Sequence, residues 1–191
     1  SAFDMGKSVV APFLYFKRIR SVDIVVLTHP HPDHLQGLIY IVNNFDVKEI
    51  WTTGVQTDND LYRLWESAIM KHDIRIRKIS SSMPPESIAG AKIEILWPSR
   101  LPEDKGYNDI NDTSLVMKIT FGDHRLLFTG DISSRVEACL TASEKDINAD
   151  VLIVPHHGSV HSSSPEFIRS VSPKYAFVSA GKNNVFRHPH P

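Results

Sequence analysis

The sequence predicts an α/β fold, and three observations carry that prediction. Short β-branched runs alternate with stretches of helical periodicity. Polar segments rich in metal-ligating residues follow directly on three of those runs, as they do at strand ends in open α/β sheets. With 41% hydrophobic and 23% charged residues over 191 positions, the chain is long and apolar enough to bury a real core.

The elements follow in order. Residues 22–27 (VDIVVL) read as a strand buried on both faces, emptying into a His-rich loop. Leu35, Leu38, Ile39 and Val42 recur at helical spacing, with Asp33 or a neighbour as the cap. A short strand at 48–52 precedes an amphipathic helix at 59–71, with Leu61, Leu64, Trp65 and Ala68 facing inward. Ile74, Ile76 and Ile79 alternate with basic residues as in an edge strand, and Ile93, Ile95 and Trp97 alternate likewise. Residues 98–112 read as a loop. Segments 115–121 and 125–129 form a hairpin across Gly122-Asp123, followed by a helix at 134–142. The run 151–154 is a buried strand, Pro165 opens a short helix, and 175–179 is the last strand. No repeat or linker interrupts the chain, so 1–191 is expected to be one domain.

Composition excludes several classes. The net charge of −1 gives no bulk electrostatic case for nucleic acid or anionic membrane. The single Cys139 rules out a disulfide framework or a Cys-rich zinc site within this chain. No apolar run reaches the ~20 residues of a membrane span, and the start shows no signal-peptide pattern.

The 10 histidines are clustered rather than scattered. They gather in His29-Pro30-His31-Pro32-Asp33-His34, in His156-His157 with His161 close behind, and in His188-Pro189-His190-Pro191; only His72 and His124 stand apart, as surface residues. His29 and His31, two apart in an extended turn, can project the same way, while Asp33 and His34 can address a second ion. Asp131, after a strand and a glycine, can bridge two ions, and the histidine before Gly158 can complete the second site. Imidazole with carboxylate and no thiolate suits Zn²⁺, Mn²⁺ or Fe. Pro30 and Pro32 stiffen the loop and lower the ordering cost. Asp109 and Asp112 read as turn residues, and Trp51, Trp65 and Trp97 as core.

His29, His31, Asp33 and His34 form the H-x-H-x-D-H signature of the metallo-β-lactamase superfamily, which the sequence resembles. The segments LTHPHPDH (27–34), NDTSLV (111–116), LFTGD (127–131), VPHHGS (154–159), SSSPEF (162–167) and GKNN to HPHP (181–191) occur in that order. Together they resemble the hydrolase domain of ComEC/Rec2 DNA-internalisation competence proteins over nearly the whole chain. The resemblance implies an αββα sandwich lacking its first strands, within a domain excised from a larger protein. Phe3-Asp4-Met5-Gly6 resembles the end of that missing region. Two divalent ions, Zn or Mn, are implied. His29 and His31 would serve one ion, Asp33 and His34 the other, with Asp131 between them and His157 favoured over His156 as the remaining ligand. Asp33, His156 and His188 are the catalytic candidates, His156 and His188 contacting substrate or protonating the leaving group. The sequence departs from the superfamily in having Asn111-Asp112-Thr113-Ser114 where a third histidine often serves the first ion, so that site is more open, with water or Asn111 filling in.

The implied function is a metal-dependent phosphodiester hydrolase, a nuclease acting on DNA, single-stranded in particular, during competence-type uptake. The alternative is a small-molecule phosphodiesterase, phosphocholine-esterase-like, or another hydrolase of the fold. A metal-stabilised docking domain that does not cut is a third reading, weakened by the presence of both His156 and His188. The resemblance further implies a soluble, extracytoplasmic domain tethered to a membrane channel in the full-length protein.

Overall fold

A computed structural model describes residues 3–101 and 109–190, and its contacts divide the chain into two compact units, Ser1–Ile79 and Ser80–Pro191. Residues 102–108 of the expected loop, and Pro191 of the closing His-Pro repeat, lie outside the described residues.

The first unit opens with a π-helical turn (Gly6–Val10) running into helix α1 (Ala11–Phe16). Periodicity did not announce this helix, because its exposed side carries Met5, Val9, Phe13 and Phe16. Gly6 fixes it in place: a Cβ there would lie 2.0 Å from the carbonyl oxygen of Gly37 in helix α2 (Pro32–Asn44). Strands β1 (Ser21–Leu27), β2 (Asp46–Thr52) and β3 (Arg75–Lys78) form a parallel sheet in that order, with Val25 opposite Ile50 and Ile50 opposite Ile76. β1 is not buried on both faces within its unit: Val25 and Leu27 are buried, whereas Ile24 and Val26 are only half-buried. Helix α3 (Asp60–Lys71) starts at Asn59, whose side chain accepts from Tyr62 N at 2.8 Å. Its inward face is Tyr62, Trp65, Ala68 and Ile69. Leu64, expected inside, is 59% exposed, because the Tyr62–Trp65–Ile69 row turns it to the opposite side.

The second unit is built on a sheet ordered β4-β5-β6-β7-β8-β9. β4 (Glu86–Ile88) was not foreseen; it pairs antiparallel with β5 (Ala91–Trp97) across Ala89-Gly90, both at positive φ, a turn for which Ala89 gives no sequence signal. β6 (Val116–Phe121) and β7 (His124–Phe128) form the expected hairpin. β7, β8 (Val151–Ile153) and β9 (Tyr175–Phe177) are parallel neighbours. Helices α4 (Ser134–Ala142) and α5 (Pro165–Val171) contribute Val136, Leu140, Phe167 and Val171 to a core with Val116, Leu127 and Leu152. Trp51 and Trp65 are buried, His72 and His124 exposed, as expected.

Candidate metal centre

In the first unit, β1 delivers the chain into Thr28 and the His-rich turn at the start of α2. The cap is His31 rather than Asp33, with Pro32 at the first helical position, where its missing N–H costs nothing. Asp33 therefore falls in the first helical turn, where a carboxylate complements the helix dipole. The three imidazoles are packed together: the His29 ring centroid is 4.7 Å from His31 and 4.2 Å from His34. Thr28 Oγ1 lies 3.3 Å from His29 Nδ1 and 3.4 Å from His34 Nδ1, and Asp33 Oδ2 lies 3.6 Å from His34 Nε2. His29 is buried, whereas the Asp33 side chain is 58% exposed.

In the second unit, Asp131 and the His156-His157 pair leave the carboxyl ends of the parallel neighbours β7 and β8, so the chain brings them to one edge. Gly130 turns there at positive φ, and its carbonyl accepts from His156 N at 3.1 Å. His156 and His157 themselves adopt φ of 48° and 55°, a left-handed conformation costly for residues with a Cβ and concentrated at functional sites. That turn separates their roles. His157 Nδ1 donates to the Ser179 carbonyl at 2.7 Å, which directs Nε2 at Asp131 Oδ2, 3.4 Å away. A backbone carbonyl fixing one imidazole nitrogen while the other meets a buried carboxylate is the outer-shell arrangement of metal-binding histidines. The donor set thus fits a divalent ion, with His157 and not His156 carrying the ligand geometry.

His188 is brought to the same loops. Its ring centroid is 5.9 Å from His156, and Phe186 stacks on it at 5.7 Å. Asn184 clamps the turn, its Oδ1 accepting from His188 N at 3.0 Å while its Nδ2 donates to the His188 carbonyl at 2.7 Å. Burial first, then the neighbouring His190, His156 and His157, holds the His188 imidazole below the usual histidine range, against a smaller opposing pull from Asp131. Gly158, at φ +77°, permits this docking: a Cβ on it would lie 2.6 Å from Pro189 Cβ, and its carbonyl accepts from His190 N at 2.9 Å.

Sequence reasoning missed two residues that brace the candidate site, Asp112 and Ser114. Asp112 lies in the 3-10 turn Asn111–Thr113 as a turn residue, but it is also buried, accepting from Ser133 N at 3.1 Å and Ser133 Oγ at 2.6 Å just beyond Asp131. Ser114 Oγ accepts from Asp131 N at 3.0 Å. Asn111 Oδ1 is buried without a hydrogen-bond partner among the described residues, as an atom reserved for a ligand would be. Asp109 does serve a turn, accepting from Asn111 N. The signal for Asp112 and Ser114 lay in the NDTS segment, which follows no hydrophobic period; Asn111 within it was the expected stand-in at the first ion.

Comparison with known proteins agrees with this architecture. The metallo-beta-lactamase superfamily pattern matches residues 14–182, and the chain belongs to that superfamily. The chain is 30% identical to the ComE operon protein 3 of Bacillus subtilis over 98% of its own length and 24% of that protein. It is 39% identical to the competence protein ComA of Neisseria gonorrhoeae over 52% of its length and 14% of that protein. It therefore spans about a quarter or less of the length of these relatives. Among solved structures, the diiron β-hydroxylase CmlA of Streptomyces venezuelae shares the fold, with a TM-score of 0.51 at 14% identity over 82% of this chain and 35% of CmlA. Since CmlA is a hydroxylase, fold alone does not select the reaction; the residues must.

Proposed function

We propose that this chain is a two-metal phosphodiesterase acting on DNA, with His29, His31, Asp33, His34, Asp131 and His157 as ligands. The observation that carries the reading is the placement of His188 and His156 beside the Asp131–His157 pair. Metal ligands alone would serve any chemistry of the superfamily. A pair of additional imidazoles next to them supplies what a phosphodiester requires, groups that contact phosphoryl oxygens and protonate a departing alkoxide. Two divalent ions, when bound, supply Lewis-acid polarisation of the phosphoryl group and a water of near-neutral pKa.

The chain's own part is preorganisation. Asp131 is fixed through its N–H by Ser114, and His157 through Nδ1 by Ser179, so neither has to reorganise as charge develops. His188 is half-buried, its backbone is clamped by Asn184 before substrate arrives, and burial and its neighbours lower its pKa from the usual histidine value. Similarity to ComE operon protein 3 over 98% of the chain, and to the competence protein ComA over 52%, favours DNA, single-stranded in particular, over a small phosphodiester. The same similarity favours a hydrolase domain attached to a larger, membrane-associated protein; among the described residues no helix is long and apolar enough to cross a membrane.

The test is to load the protein with Mn²⁺ or Zn²⁺ and supply single-stranded DNA, duplex DNA and bis-p-nitrophenyl phosphate. Cleavage of the small ester and single-stranded DNA is expected. Cleavage of the ester but never of DNA would leave the small-molecule reading in place.

A further inference from the structure

Beside the proton-handling pair, the second unit contains a cavity of about 590 Å³ bounded by loop 158–165 and by Pro189-His190. It shares Gly158 with the ligand loop, and the His190 ring on its wall lies 5.3 Å from His188. Its polar lining includes Ser134, His161, His190 and the serines of loop 158–165, with apolar Val154 and Val178 among them. Among the described residues, neither an Asp or Glu nor a Lys or Arg side chain lines it. The surface therefore offers hydroxyl and imidazole donors without repelling an anion and without the strong charge that would hold one permanently.

The walls are built rather than incidental. Glu137, fully buried at the base of α4, accepts from Ser163 N at 2.5 Å and Ser164 N at 2.8 Å. Ser134 N donates to the His161 carbonyl at 2.9 Å, and Ser162 Oγ donates to the Pro155 carbonyl at 3.0 Å. Ser163 is held at φ +63°, and its Oγ is buried with no hydrogen-bond partner among the described residues. A strained loop braced by a buried carboxylate holds the cavity wall in one shape before any ligand arrives.

We propose that this cavity binds the sugar–phosphate unit adjacent to the scissile phosphodiester, so that the substrate is a polynucleotide strand rather than a small diester. Phosphate oxygens accept from Ser134, His161 and His190, while the sugar lies on Val154 and Val178. The assignment rests on the phosphodiesterase reading of the neighbouring site. A small diester would leave the cavity unused.

The test is a Ser134→Ala/His161→Ala double variant; both residues are exposed, so the core is untouched. With Mn²⁺, kcat/KM on single-stranded DNA is expected to fall about tenfold, the loss of two modest hydrogen bonds, while bis-p-nitrophenyl phosphate hydrolysis stays within about twofold. A fluorescent single-stranded hexanucleotide should bind the metal-free variant several-fold more weakly than metal-free wild type. Equal losses on both substrates, or unchanged hexanucleotide binding, would overturn the subsite. If wild type hydrolyses neither substrate, the phosphodiesterase reading fails, and the binding comparison still decides whether the cavity takes a strand.

Discussion

Gly158 and Asp131 show how much of the centre rests on single positions. Gly158→Ala adds a Cβ at a positive φ and drives it into Pro189, so we expect destabilisation well above about 1 kcal/mol, read as a lowered urea midpoint. Asp131→Ala removes the carboxylate that meets His157 and should cut divalent-ion affinity at least about tenfold, measured by metal titration. The candidate ligands were legible because H-x-H-x-D-H and His-His-Gly are local patterns. The preference for His157 over His156 rested on the resemblance, not on the chemistry of the two side chains. A left-handed turn and the carbonyl of Ser179, which is distant in sequence, orient His157 toward Asp131. Asp112 and Ser114 were illegible for the same reason: their partners Ser133 and Asp131 come from another loop.

At the scale of elements, two carboxylates join pieces that the sequence separates. Glu137 ties α4 to the serine loop ahead of α5. Glu137→Gln places an amide N–H₂ opposite one of two buried N–H donors and should cost about 2 kcal/mol in urea unfolding. Asp150 joins the β7, β8 and β9 ends: Lys174 Nζ is 3.0 Å from Oδ1, Arg125 Nε 3.3 Å and Arg125 N 2.9 Å from Oδ2. Lys174 first, then Arg125, holds its carboxyl well below the usual carboxylate range. A depressed folded pKa gives stability that is fully present above the ordinary Asp value and is lost as pH falls below it. The melting-temperature gap between wild type and Asp150→Asn should accordingly be constant from neutrality to about pH 5 and shrink at lower pH. Most strands were legible from alternation and β-branching. β4 was not, because three residues are too few to show a period, and Leu64 was misplaced because aromatic Tyr62 and Trp65 set the face of α3.

At the scale of the whole molecule, the near-zero net charge matters more than it did in the sequence alone. A chain with 21 basic and 22 acidic residues does not hold polynucleotide by bulk attraction, so recognition must be local. The ions, the His156–His188 pair and the uncharged cavity beside them are the local means proposed here. The superfamily was legible from motif order along the chain; the substrate was not, since the same ligands serve several reactions. The most direct test compares ion content and single-stranded DNA cleavage in wild type and Asp131→Ala. About two divalent ions per wild-type chain, with ion content and cleavage both falling in the variant, is the predicted result. Equal ion content in the two proteins, or cleavage that survives the substitution, would contradict the account.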